Sequence, residues 1–313
     1  MQFSTKVTIA KSNQPIDYQS RIMSLGSCFA ENIGAKLHHF KFQNSVNPFG
    51  IIFNPVSIEK LLTRAVNQHP FTEKDIFFHN DLWHCYEVHS EMSHFDKEVL
   101  LANLNQLLES TNNQITKSTH IIITYGTSWV YKLKASNEVV ANCHKVPQNQ
   151  FDKEILSVAT IEKSIQNTID LIQKINPDGQ IIFTVSPVRH LKDGFVENQR
   201  SKAHLITAIH NSPFTTHHYF PSYEILMDEL RDYRFYAEDM LHPNPIAINY
   251  IWERFTATHI ADTCIPVMTE VDTIQKALAH RPFNPNTENH QKFLSNLNQK
   301  IIKLQEHFPY FQF

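Results

Sequence analysis

The sequence predicts an α/β fold: a three-layer, flavodoxin-like parallel sheet with helices on both faces and a helical C-terminal extension. Short apolar or β-branched runs alternate with segments of helical periodicity, the pattern of parallel strands joined by crossover helices. The chain has only six glycines in 313 residues, against a usual share of roughly 7%. Two of them, Gly26 and Gly126, stand where an apolar run ends and the chain must turn. Such a length also suffices for a substantial core.

The elements follow in order. A first strand at 21–25 leads into a helix at 28–40, where Phe29, Ile33 and Leu37 recur at helical spacing. Pro55 opens a helix at 56–65, and another helix at 98–108 precedes a β-branched strand at 120–125. Residues 129–133 and 138–142 read as a hairpin about Ser136-Asn137. A helix at 160–175 stops at Asn176-Pro177-Asp178-Gly179 and feeds a strand at 180–185. A helix at 198–209, a short strand at 216–220 and a helix at 243–258 complete an α/β domain spanning 1–266. Residues 67–97, rich in aromatics and histidine, form either a lid over the site or a packed excursion of the core. Residues 267–313 read as two helices broken at 281–285. The stripe Phe293, Leu297, Ile301 and Leu304 on the second is expected to pack on the domain rather than form a dimer surface.

Composition excludes several function classes. A formal net charge of −3 lacks the basic face that nucleic acid requires. No run approaches the roughly 18 apolar residues of a membrane span, and the opening residues lack a basic segment followed by an apolar stretch. Cys28, Cys85, Cys143 and Cys264 show no CxxC spacing, so a reduced, cytoplasmic protein without disulfides is expected. The 19 histidines are scattered without HxH or HExxH spacing, so neither a metal nor another cofactor is expected.

Chemistry concentrates at the strand-to-helix turn Gly26-Ser27-Cys28-Phe29-Ala30. A residue at a helix N-terminus meets free backbone N–H groups and the positive end of the dipole, which stabilise an anion. A thiol there is expected to have a lowered pKa. Alternatively, Ser27 is only an N-cap and Cys28 a small buried residue. A nucleophile needs a base, and the base needs an orienting partner. Asp239-Met240-Leu241-His242 offers both after the last strand, with Pro243 expected to start the following helix and pin the histidine.

The Gly26–Ala30 string is the signature that names the GSCFA family, and the chain resembles that family over about residues 20–260. The family is similar to SGNH (GDSL-like) hydrolases, in which a Gly-Asp-Ser turn, a glycine, an asparagine and an Asp-x-x-His build the site. On that resemblance Cys28 matches the nucleophilic serine, Ser27 the preceding aspartate, Gly50 the second-block glycine, and Asp239 with His242 the last block. Ser128 falls where the third-block asparagine stands, and Asn47 or Asn54 could fill the gap it leaves in the oxyanion hole. Ser27 becomes the nucleophile if the turn is shifted by one residue. The implied activity is a hydrolase or acyltransferase of ester or thioester bonds, acting on a small-molecule or glycan acyl substrate. The alternative is a non-catalytic module that binds an acylated or sugar ligand. His144, beside Cys143, reads either as part of a second Cys–His pair or as a structural turn. Arg189, just past a strand end, reads either as a holder of a substrate carboxylate or phosphate or as a surface ion-pair member.

Overall fold

The computed structural model describes residues 5–212 and 217–313. Thr216, expected to begin a strand, and residues 1–4 of the opening segment lie outside the described residues. The first half contains β1 (Arg21–Gly26), α1 (Cys28–His39), β2 (Gln43–Val46), α2 (Pro55–Val66), the hairpin β3 (Ile76–His79) and β4 (Leu82–Cys85), α3 (Lys97–Lys117) and β5 (His120–Tyr125). Then follow β6 (Trp129–Leu133), β7 (Glu138–Val140), β8 (Phe151–Ile155), α4 (Val158–Ile175), β9 (Gln180–Val185), α5 (Phe195–Asn211) and β10 (His217–Phe220). A short α6 (Ser222–Glu224) runs into a π-turn at Ile225–Leu230, and α7 (Pro245–His259), α8 (Ile265–Ala279) and α9 (Glu288–His307) close the chain.

Five strands form one parallel sheet in the order β2-β1-β5-β9-β10. Counted by parallel strands alone this is the flavodoxin-like order 2-1-3-4-5, whose direction reverses between β1 and β5. The two-residue alternation of strand side chains divides the core. Ile22, Ile122, Ile182 and Phe220 meet Phe29, Ile33 and Leu37 of α1, Phe255 of α7 and Val271 of α8. Met23, Leu25, Ile121, Ile123, Ile181 and Phe183 meet Leu61 of α2, Leu104 of α3, Ile165 of α4 and Leu205 of α5. Every residue of β5 is buried, as a central strand between two helical layers must be. Leu297 and Leu304 of α9 are buried in the first of these clusters, whereas Phe293 remains largely outside it.

Several boundaries differ from the sequence expectation. Helix α3 runs nine residues past 108 because Thr111 and Ile115 carry its buried stripe through a polar stretch. Helix α7 begins at Pro245 and not at Pro243, because Asn244 accepts the Ala247 N–H as its cap and Pro245 takes the first turn. The strands β2 and β8 carry no strand signal in the sequence because Gln43-Asn44-Ser45-Val46 and Phe151-Asp152-Lys153-Glu154-Ile155 are polar edge strands without apolar alternation. The 67–97 excursion contributes Phe71, Ile76, Cys85 and Val88 to the core, and its His89 and Glu91 pack against Gly50. Among the described residues no helix is long and apolar enough to cross a membrane.

Candidate active site

The turn after β1 is held by three contacts at the sheet's switch point. Gly26 has φ +133°, and a Cβ there would lie 2.1 Å from the Thr124 carbonyl oxygen on β5, so no side chain fits. The Gly26 N–H donates to Asn47 Oδ1 (2.8 Å) and the Ser27 N–H to the Thr124 carbonyl (3.0 Å). Ser27 is buried, and its hydroxyl accepts the Phe29 N–H (3.2 Å) as the α1 N-cap. This leaves Cys28 half-buried at the first helical position. The expected lowering of its pKa is corrected by the environment. Burial pushes the Cys28 thiol up and Glu31 one turn later adds to this, while Lys202 and the N–H groups of Cys28 and Phe29 pull it back. Desolvation of a thiolate outweighs the helix terminus here.

The Asp-x-x-His pair is assembled on its own loop. Asp239 Oδ2 meets His242 Nδ1 at 2.5 Å, and Asp239 Oδ1 accepts the N–H groups of Leu241 (2.9 Å) and His242 (3.0 Å). These bonds hold the Asp239 carboxyl down at about 2, the His242 and Leu241 amides contributing first and the His242 ring next. Met240 adopts φ +58° so that the loop can fold back on itself. His242 is half-exposed, and its Nε2 has no hydrogen-bond partner among the described residues. No hydrogen bond joins it to the Cys28 sulfur.

Arg189 serves this loop. Its guanidinium donates to the Met240 carbonyl, its backbone N–H donates to the Leu241 carbonyl (3.1 Å), and it lies 4.2 Å from the Tyr236 ring centre. Neither sequence reading anticipated this: Arg189 is buried and its charge braces the Asp-x-x-His turn.

Four other expected site residues are occupied elsewhere. The Gly50 N–H donates to the Asn47 carbonyl (2.8 Å) and closes the turn. Its glycine is required because φ is +75° and a Cβ would strike His89 and Glu91. Ser128 is fully buried; its N–H donates to Ser201 Oγ (2.8 Å) and its hydroxyl to the Ser201 carbonyl (3.2 Å), tying the turn after β5 to α5. Asn54 caps α2 through the Ser57 N–H (2.9 Å) and spends its amide on Ser57 Oγ. His144 is buried against His84, bonds the Cys85 carbonyl (2.7 Å), and is pushed down to about 4, chiefly by burial. Asn47 remains at the site, its amide Nδ2 3.5 Å from Glu31 Oε1.

Two residues that the sequence reading assigned no role complete the neighbourhood. His190 stacks on Phe53 (5.9 Å between ring centres), and its buried Nε2 has no partner. Burial first, then the charges of Lys202 and His242, push it down to about 3. Lys202 is 1% exposed and donates to the Gly126 (2.6 Å) and Ser186 (2.7 Å) carbonyls. Its signal was present, since Asn198, Ser201, Lys202, Leu205 and Ile209 form one helical stripe, and a lysine on a buried stripe is rare.

The fold and this arrangement define a parallel α/β protein with a cysteine on the strand-to-helix turn at its switch point and an Asp–His pair on a later loop. The GSCFA family model matches residues 21–255, and that of the GSCFA domain protein, C-terminal domain, matches residues 271–313; the chain belongs to the GSCFA family. No curated protein matches it. Among solved structures, the chain is similar to a carbohydrate esterase family 3 from Talaromyces cellulolyticus. That match has 7% identity and a TM-score of 0.36, and covers 80% of this chain and 99% of the other.

Proposed function

We propose that this chain is a hydrolase or acyltransferase of ester or thioester bonds, acting on a small-molecule or glycan acyl substrate. Cys28 is the nucleophile, His242 the general base and Asp239 its orienting carboxylate, as the similarity to SGNH hydrolases implies. The observation that carries the reading is the Asp239–His242 pair, 2.5 Å apart, with the second ring nitrogen free. A carboxylate accepting from Nδ1–H leaves the lone pair on Nε2, the tautomer a base requires. His242 then removes the thiol proton as the sulfur adds to the carbonyl carbon, and returns it to the leaving oxygen or sulfur. The resulting acyl-cysteine is released by water or by an acceptor hydroxyl. The oxyanion falls to the Cys28 N–H, which has no intrahelical acceptor, and to Asn47 Nδ2, since Gly50 and Ser128 have no donor to spare. That scarcity of donors is what favours the second reading, a module that binds an acylated or sugar ligand without turnover.

Turnover of a p-nitrophenyl acylate tests both. His242→Ala and Asp239→Asn are expected to lose roughly 10²–10⁴-fold in rate, and intact mass after a slow acyl substrate to place the adduct on Cys28. Unchanged turnover in both variants, or an adduct on Ser27, overturns the assignment; binding without turnover selects the module.

A further inference from the structure

Lys202 is a cation where the fold has no need of one. Its ammonium is fully enclosed between the ends of β5 and β9, bonded to the Gly126 and Ser186 carbonyls. No carboxylate among the described residues lies within ion-pair distance of it. Burying a charge without a counter-ion is costly, and a methionine would fill the same volume at no such cost. The groups facing it come from three places: Cys28 at the start of α1, His190 after β9, and Tyr223 and Glu224 of α6 after β10, the Tyr223 ring centre being 5.2 Å away. Glu224 is engaged by the Tyr219 hydroxyl (2.7 Å and 2.9 Å), and His190 is held neutral. Cys28 stands on the turn after β1, which pairs with β5 at Gly26–Thr124, next to the strand end whose Gly126 carbonyl holds the ammonium; its sulfur and the Glu224 carboxyl are the acidic groups that face Lys202.

We propose that Lys202 is a positioning residue for Cys28: its enclosed ammonium is the counter-ion of the thiolate and sets the pH at which the sulfur becomes reactive. This rests on the reading of Cys28 as nucleophile. The ammonium and the thiol act as one two-proton system, in which charge on either changes the proton affinity of the other. Burial pulls Lys202 down to about 7 while Cys28 pulls it back up, and Lys202 in turn lowers the thiol. When Cys28 gives its proton to His242, the new negative charge faces a positive one that is itself enclosed away from water. A lysine suits this role because its proton affinity shifts readily on burial, whereas arginine stays charged.

The test is the pH profile of Cys28 alkylation by iodoacetamide, read by mass at each cysteine. Lys202→Met is expected to move the Cys28 midpoint upward by about one unit or more, roughly a ten-fold loss of rate near pH 7.5, with Cys143 unaffected. A folded Lys202→Met with an unchanged Cys28 profile overturns the proposal. Should that variant fail to fold, the wild-type chain decides. Cys28 is capped with iodoacetate, which leaves a carboxylate, or with iodoacetamide, which leaves a neutral amide, and Lys202 is titrated through its labelled Cε signal. The charged cap is expected to raise the lysine midpoint by about one unit over the neutral one, and equal midpoints overturn the proposal. Esterase inactivity with this linkage intact refutes the proposed function alone; normal turnover without the linkage refutes this inference alone.

Discussion

Acid sensitivity of the fold follows from its buried histidines and starts well above the pH at which carboxylates titrate. His259 ends α7 stacked on Phe255 (4.8 Å, 6°), with Phe220 edge-on, and His144 is enclosed beside His84. Each is pushed down to about 4, burial being the main cause. The sign is set by which state takes the proton first. Unfolded, each histidine titrates near 6.5; folded, it stays neutral to about 4, so the unfolded chain binds protons earlier and stability falls as pH drops below 6.5. By linkage the loss at pH 5 is about 2 kcal/mol for each, about 4 kcal/mol together, and it stops growing below about pH 4. His190, pushed down to about 3, adds a comparable amount in the same direction. Burial raises the Glu224 carboxyl and opposes this only partly. Lys202 contributes nothing below pH 7, being charged in both states. Against a total of roughly 5–15 kcal/mol the effect is large. Urea unfolding at pH 7 and pH 5 measures it, and His259→Phe is expected to remove about 2 kcal/mol of the difference. A stability that changes by less than about 1 kcal/mol over that interval refutes the reasoning.

Gly26→Ala is expected to cost about 3 kcal/mol or more, because its Cβ would meet the Thr124 backbone. Gly194→Ala, at φ +97° with open space around it, is expected to cost only about 1–2 kcal/mol; equal urea midpoints for the two variants would refute the close-approach argument. Arg189→Lys keeps the charge but loses the planar guanidinium that donates to the Met240 carbonyl and lies over the Tyr236 ring, so turnover is expected to fall about ten-fold or more with faster hydrogen exchange at Leu241 and His242. Wild-type exchange there would show that the loop stands without it. Asn54→Ala is expected to cost about 1 kcal/mol of stability and leave turnover unchanged, whereas a lost activity would return Asn54 to the site.

The alternation of strands and helices, the strand-to-helix turn at Gly26–Cys28 and the Asp-x-x-His loop were legible from residue order, because their causes are local. Apolar periodicity, a glycine where the chain must turn and a carboxylate three residues from an imidazole all act within one short segment. Where the local signal is weak, as in the polar edge strands β2 and β8, the sequence was silent, since pairing partners far along the chain decide them. Tertiary structure alone decided which donors are free. Gly50 and Ser128 have the right residue types in the right order, yet the Asn47 carbonyl and Ser201 claim their hydrogen bonds. It also reversed the expected shift of the Cys28 thiol, because helix-terminus stabilisation follows from position in the sequence but desolvation depends on everything packed around the sulfur. Lys202 and Arg189 show the same division. Their charges are written in the sequence, but only the fold encloses them, one between two strand ends and the other behind the Asp239–His242 loop, and enclosure turns an ordinary surface cation into a group that shapes its surroundings.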